Sequence, residues 1–405
     1  MSPALDHGRQ RRARWHERRL CLVSHPWLFL GLALAARRGP VCTIPGIGHV
    51  VSDPVLARQV LSSEGQFTKT GPGALSDALT GIMGRRALVN MDGEPHRELR
   101  AQLRSLFTPR FVAELVPRIF EQPLAQARAR IEGGHEVDLV RLAQVLAGRA
   151  ACTIVGVDAT AGPDDDACLD LYRKGLEFAS VISLGTRQLG RAETLATQAR
   201  LHALTEGARA AYQRSDECSV PGRLRAAGLE FEDSRGVIGL LLLAGTETTA
   251  SALPRIVALL IDTGQWATLR ADRALLSRAI DEGLRATGPL AVVTRNVAEP
   301  TTLGGRRLRK GARVIVCIAN LLKSPRAVAD RSYFDIAREQ PPQLMNLWFG
   351  HGPHFCLGAA LAHAEIESAL TALLDCGELE IARRRYGRRA LFPAYANLDV
   401  RRRAA

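Results

Sequence analysis

Apolar residues recur at helical spacing along most of this 405-residue chain. Stretches of this kind run over residues 94–106, 110–132, 139–155, 167–182, 192–213, 234–263, 265–287 and 359–374, and each predicts a helix. Strand-like patterns are short: a pair around a Pro-Gly turn near residue 45, then LAVVTRNV, TTLGGRRL and ARVIVCIAN. No Pro/Ser-rich linker, fixed-period repeat or low-complexity tract divides the chain. The pattern predicts one large, mainly α domain with small β-sheets over residues 25–405. Residues 1–24 read as a basic N-terminal extension able to stay disordered. The apolar run that follows, LCLVSHPWLFLGLALAA, is interrupted by His25 and Pro26 and is too short to span a bilayer. It allows a secretory leader ending at Ala33-Leu34-Ala35. A helix starting after His25-Pro26 is preferred, because strand and helix patterns continue directly from it.

One predicted helix has an unusual interior. GVIGLLLLAGTETTASALPRIVALLIDTG is apolar on almost every face, as a helix through the middle of a large protein would be. Its centre nevertheless carries Gly245, Thr246, Glu247, Thr248 and Thr249. Three β-branched hydroxyls and a glycine weaken a helix locally, and a buried carboxylate is costly unless paired or hydrated. Two readings stand: a hydrogen-bonded polar kink linked to Pro254, or a groove beside a reaction centre where hydroxyl and carboxylate pass protons.

A second unusual segment is FGHGPHFCLG, residues 349–358, which sets Cys356 among glycines just before the helix AALAHAEIESALTALL. A structural thiol needs no such setting; a thiolate that holds a metal does. Glu282 and Arg285 are three apart on one helical face. His96 and Arg100 are four apart on another, Arg295 follows a strand-like run, and His354 stands two residues before Cys356. Together the basic residues suit an anionic cofactor, since arginine grips carboxylates bidentately.

Composition narrows the reading further. The formal net charge is +13, and only four of the 54 basic residues are lysines. The basic residues are spread along the chain outside its two ends, aromatics are 5%, and zinc-finger spacing is absent. Nucleic-acid binding is therefore not expected, and a docking face for an acidic protein is preferred. Eight scattered cysteines without a C-x-x-C pair suggest a reducing, cytoplasmic setting.

These pieces, in this order, resemble the cytochrome P450 haem-thiolate monooxygenases in their soluble bacterial form, from about Pro26 to the C-terminus. Phe349-Gly350-x-Gly352-x-His354-x-Cys356-x-Gly358 resembles the haem loop. Ala244 to Thr249 resembles the oxygen-activating segment, and Glu282-x-x-Arg285 the buried structural pair. The resemblance implies a triangular helical prism with haem b between the central helix and the helix of the Cys loop. It implies Cys356 as the iron ligand, with Phe349, Gly350 and Gly358 around the sulfur, and Ala244 and Gly245 against the haem's other face. It places His96, Arg100, Arg295 and His354 on the propionates. Thr248 would hydrogen-bond dioxygen and Glu247 would help relay protons. Two departures stand out: ANLLKSP in place of Ala-Asn-x-Asp-Pro, and Tyr333 where an arginine completes the Glu282–Arg285 network. Arg331 is the nearby substitute.

The function implied is insertion of one oxygen atom of O2 into a hydrophobic small molecule, a natural-product intermediate, by hydroxylation or epoxidation. Electrons would come from a ferredoxin or flavodoxin-type partner, docking near Arg97, Arg104 and Arg110. Leu240, Leu243, Ala244, Val292 and Val293 would line the substrate pocket, under a lid formed by residues 69–93. A monomer with no membrane span is expected. Two alternatives stay open: a peroxide-driven peroxygenase on the same fold, and a non-catalytic haem-based binder or sensor.

Overall fold

The computed structural model describes residues 6–71, 75–157, 165–181, 190–328, 330–388 and 392–404. In chain order its helices are α1 (His7–Ser24), α2 (Pro26–Arg37), α3 (Pro54–Ser62), α4 (Leu75–Met83), α5 (Gly93–Arg104), α6 (Pro109–Glu132), α7 (Leu139–Val155), α8 (Asp165–Val181), α9 (Arg191–Thr205), α10 (Arg209–Gln213), α11 (Val220–Ala226), α12 (Phe231–Asp262), α13 (Trp266–Ala271), α14 (Leu276–Thr287), α15 (Ile318–Leu321) and α16 (Ala359–Asp375). The strands are β1 (Val41–Ile44), β2 (Gly48–Val51), β3 (Phe67–Thr68), β4 (Val137–Asp138), β5 (Val293–Val297), β6 (Thr301–Leu303), β7 (Arg306–Leu308), β8 (Arg313–Val316), β9 (Leu379–Tyr386) and β10 (Tyr395–Arg402). The mainly α architecture with small sheets is as expected. Of the helix predicted over 167–182, residue 182 lies outside the described residues.

α12 is the axis of the molecule. It packs against α7, α8, α9, α14 and α16, and its apolar residues are buried over most of its 32-residue length. By length and composition it could cross a membrane, but it lies inside the protein. The helix continues through Pro254. Two predicted helices are divided. Residues 192–213 split into α9 and α10 around a short 3-10 turn at Glu206–Ala208. Residues 265–287 split into α13 and α14, because the Asp272 carboxylate accepts from the Ala274 N–H at 3.0 Å and stops α13.

The largest sheet has the order β1-β2-β8-β5-β3. β2 runs parallel to β8 with Val50 opposite Ile315, and β8 runs antiparallel to β5 with Val314 opposite Arg295. TTLGGRRL forms the β6–β7 hairpin. The third sheet, β4-β10-β9, was not legible: its two long strands are rich in arginine and only part-buried, so no clean alternation marks them.

The basic N-terminal stretch is not an extension. It folds as α1, capped by Asp6, and buries Gln10, Ala13, Glu17, Leu20 and Ser24 along one face. The reason is a buried arginine. Arg255 of α12 has no exposed surface, and its Nη2 lies 2.6 Å from Glu17 Oε2, with further bonds to the Thr287 and Pro393 carbonyls. An arginine there needs a carboxylate, and α1 brings one.

A second buried network holds α14. Both guanidinium arms of Arg285 meet Glu282, at 2.6 and 2.7 Å. The expectation that Arg331 supplies the missing arginine is corrected: Arg331 is exposed, and Arg338 instead places Nε 3.3 Å from Glu282 Oε2. Gln340 Nε2 and the Asp335 N–H also donate to the same carboxylate. Arg338 is set by the turn after Phe334, five residues beyond the position occupied by Tyr333. The Tyr333 carbonyl accepts from both Arg285 and Arg338. Replacing Arg338 with Ala should cost about 2 kcal/mol in urea unfolding, since it strips a charged partner from a buried carboxylate. Arg331→Ala should stay within about 0.5 kcal/mol of the parent. Equal losses in the two variants would contradict this assignment.

Candidate active site

The Cys356 loop is built from backbone that needs glycine. Gly350 and Gly352 have φ of 82° and 72°. A Cβ on Gly352 would come within 2.3 Å of the Leu61 carbonyl oxygen, so the loop lies directly against α3. The Cys356 N–H donates to the Phe349 carbonyl at 2.9 Å, folding the segment back on itself. Phe349 packs edge-on to Phe355 with ring centroids 6.1 Å apart. Burial pushes the Cys356 thiol up, opposed by the Gly358 N–H at its sulfur and by the Arg100 guanidinium. The residual exposed surface of Cys356 faces a cavity rather than bulk solvent.

That cavity, about 330 Å3, lies between α12 and the Cys loop with α16, and its walls are mostly apolar. Cys356, Phe349, Gly350 and Gly358 are on one side; Ala244, Gly245 and Thr248 are on the other. A Cβ on Gly245 or Gly358 would meet nothing within 4 Å, so both open onto free space. The α12 wall follows helical geometry: Leu241, Ala244, Gly245 and Thr248 are spaced i, i+3, i+4, i+7 and share one face. Of the expected pocket residues, Ala244 and Val293 line this cavity. Leu240 and Leu243 fall on other faces of α12, against the main core, and Val292 packs with a small cluster around Cys317.

One end of the cavity is cationic. Arg295 and His354 line it, as does Lys69, which the sequence reading overlooked. Burial pulls Arg295 down to about 10. Lys69 falls to about 7 through burial and the neighbouring Arg295, against the pull of Asp92. His96 and His354 stack at 4.0 Å, both held near 4 by burial. Arg100 sits behind this wall and donates Nη2 to the Phe355 carbonyl at 2.5 Å. Asp92 faces the cluster: burial would raise its carboxyl, but bonds from His354, the Lys69 N–H and Thr70 win and hold it at about 2. His96 Nδ1 is buried without a partner. Lys69, Arg100 and Arg295 meet two local carboxylates, Asp92 and Glu64, the second shared with Arg97, and this end of the cavity is complementary to a ligand carrying carboxylates. A thiol at the floor, an open glycine face and an anion-seeking end fit an iron porphyrin with two propionates.

On α12, Thr246, Thr248 and Thr249 return their hydroxyls to the carbonyls of Leu242, Ala244 and Gly245, at 2.8, 2.8 and 3.1 Å. Thr248 and Thr249 face the cavity. Glu247 points the other way. It is buried and bonds to Tyr172 of α8, which also bonds to Gln144 of α7. Burial lifts Glu247 to about 7, moderated by Tyr172, and Oε1 has no partner. A further carboxylic acid escaped the sequence reading. Glu365 lines the cavity from α16, is almost fully buried, bonds to Thr249, and is raised by burial to about 8. Its signal was present: a carboxylate one turn after Leu361 on the inward face of an apolar helix.

The raised Glu365 pKa has a definite sign for stability. Folding binds a proton that the unfolded chain, with the ordinary glutamate value of about 4.5, releases, so this group's contribution is full below about 4.5 and is lost as pH rises toward 8. Glu365→Gln should therefore gain stability over the parent as pH rises from 5 to 9, read as urea midpoints, with the two nearly matched at the acid end. Parallel pH profiles for the two proteins would refute the burial of a titrating acid at this position.

Comparison with known proteins gives the same direction. A family model described as Cytochrome P450 matches residues 265–385. Cytochrome P450 107B1 of Saccharopolyspora erythraea is 32% identical over 295 residues, covering 71% of this chain and 69% of that protein. Cytochrome P450 monooxygenase PikC of Streptomyces venezuelae is 40% identical over 156 residues, 38% of this chain and 37% of its own length. Among solved structures, a mutant of P450 EryK in complex with erythromycin B superposes with a TM-score of 0.76 at 24% identity, covering 95% of this chain and 99% of that one.

Proposed function

This chain belongs to the cytochrome P450 family of haem monooxygenases, and from that premise we propose that it inserts one oxygen atom of O2 into a hydrophobic small molecule of natural-product metabolism. The reaction is hydroxylation or epoxidation, with haem b as the resident cofactor. Electrons come from a separate ferredoxin or flavodoxin-type protein; the exposed Arg97, Arg104 and Arg110 offer it a cationic face. The enzyme works as a cytoplasmic monomer whose whole chain, α1 included, forms one folding unit. The observation that carries the reading is the cavity with a cysteine on its floor, Gly245 and Thr248 opposite, and Lys69 and Arg295 at one end. The choice of a natural-product substrate is supported by the apolar walls and by the relative crystallised with erythromycin B.

When bound, a thiolate-ligated haem supplies dioxygen activation and O–O cleavage. The chain's residues prepare the ground for it. Cys356 would be the iron ligand; the Gly358 N–H and the start of α16 favour its thiolate, and Phe349 would shield it from water. Arg100, Arg295, Lys69, His96 and His354 would hold the propionates, the arginines and Lys69 as cations and the histidines as neutral hydrogen-bonding rings. Thr248 offers its hydroxyl hydrogen on the oxygen side, which it can do by turning from the Ala244 carbonyl. Glu247, raised to about 7, holds a proton at its carboxyl; it faces the α7–α8 packing, so passing that proton toward Thr248 requires the carboxyl to turn from Tyr172. Leu241, Ala244 and Val293 exclude water and orient an apolar substrate.

The test is spectroscopic. The reduced, haem-supplied protein with carbon monoxide should give the strongly red-shifted Soret band of thiolate ligation, and Cys356→His should lose it; a parent without that band would remove the basis of the reading. Thr248→Ala should retain that band while product per reducing equivalent falls roughly tenfold or more, the electrons going to peroxide or water. Full coupling in Thr248→Ala would exclude the hydroxyl's role, and full turnover with peroxide alone would favour a peroxygenase.

A further inference from the structure

We propose that the α1–α2 corner is a seat for an anionic lipid surface, with α2 lying in the headgroup layer. α2 has the sequence PWLFLGLALAAR, apolar but for its last residue. Only Leu32 and Ala35 are buried; they and Leu28 pack on the small cluster with Cys42, Val50 and Cys317 over the main sheet. The opposite face is open. Trp27, Leu30 and Leu34, spaced i, i+3, i+7, are 85%, 47% and 58% exposed. Five of the nine large exposed apolar side chains among the described residues fall between residues 15 and 34. An apolar strip this concentrated is not ordinary surface, where such residues are scattered singly.

Charge decides between occupants. Arg37 lies on the open face of α2, one turn beyond Leu34, and Arg38 follows it, also exposed. α1, bent by 118° from α2, buries residues 10, 13, 17, 20 and 24 and turns Arg11, Arg12, Arg18 and Arg19 outward together with Trp15 and Leu22. Leu22 and Trp27, both exposed, flank the His25-Pro26 corner, one on each helix. A second copy of the chain would bring the same arginines against these, so like charges would meet around the apolar strip. An anionic bilayer instead takes the tryptophan and leucines at its acyl boundary and the arginines at its phosphates. The helix pair is a surface anchor, since its 118° bend keeps it from forming one straight span. α2 also rides on the sheet whose strand β5 carries Val293 and Arg295 into the cavity, so the seat holds the catalytic body close to a source of apolar substrate.

Vesicle binding tests this without haem entering the readout. The full chain should co-sediment with phosphatidylcholine vesicles containing phosphatidylglycerol, and much less with phosphatidylcholine alone or in high salt. Tryptophan emission should shift to the blue on binding. A Trp27→Gln, Leu30→Gln, Leu34→Gln variant should lose about tenfold or more in partitioning while keeping the parent's circular dichroism and melting temperature. A Val55→Gln, Leu195→Gln control, also exposed, should bind like the parent. Three results would each overturn the proposal: no binding of the parent to anionic vesicles, equal binding of the triple variant, or a parent dimer that the triple variant abolishes in place of vesicle binding.

Discussion

The structure depends on one electrostatic arrangement: a sulfur buried at the floor of an apolar cavity, with cations gathered at the cavity's edge. Burial drives the Cys356 thiol toward its neutral form and pulls Lys69 and Arg295 down, Lys69 further through the neighbouring Arg295 charge. A ligand bringing a metal cation for the sulfur and carboxylates for the cations resolves both at once. The apolar walls between them make each interaction stronger than it would be in water. Two carboxylates, Asp92 and Glu64, adjoin the cluster; Asp92 is held well below the usual carboxylate range, and its bonds to His354 and to the Lys69 and Thr70 N–H groups fix the loop that carries Lys69.

Around this centre the fold is organised by buried arginines. Arg255 and Arg285 are among the largest fully buried side chains, and each reaches across elements distant in sequence. Arg255 ties α12 to α1 and to the carbonyls of Thr287 and Pro393. Arg285, paired with Glu282 on its own helix, ties α14 to the Leu322 and Tyr333 carbonyls. A guanidinium has five donors in a fixed plane, so it satisfies several carbonyls and a carboxylate where a lysine could not. Some of the arginine in this composition therefore serves as internal cross-bracing rather than surface charge.

Two buried acids of different placement adjoin the polar interruption of α12. Glu247 is turned into the α7–α8–α12 packing and held by a neutral tyrosine; Glu365 is turned into the cavity and held by Thr249. Both are lifted by burial into the range where a carboxyl can carry a proton at neutral pH. Only the Glu365 partner, Thr249, is on α12; its hydroxyl and that of Thr248 also return to their own i−4 carbonyls, while Glu247 relies on Tyr172 of α8 and keeps Oε1 without a partner.

The chain's local patterns determined the mainly α class, the long central helix with its polar interruption, the Cys356 loop and the basic set of His96, Arg100, Arg295 and His354. These are short-range signals: periodicity, and glycine needed where backbone takes a positive φ or a close approach. What lay beyond them depended on which elements meet. That Arg338 and not Arg331 joins Glu282, that Glu17 makes α1 part of the body, and that Leu241 rather than Leu240 faces the cavity follow from packing across tens to hundreds of residues. The long arginine-rich strands β9 and β10 were hidden for the same reason: their pairing, not their side-chain pattern, makes them a sheet. Lys69 and Glu365 were visible as residues, but only burial beside a shared cavity turned an ordinary lysine and an ordinary glutamate into parts of the site.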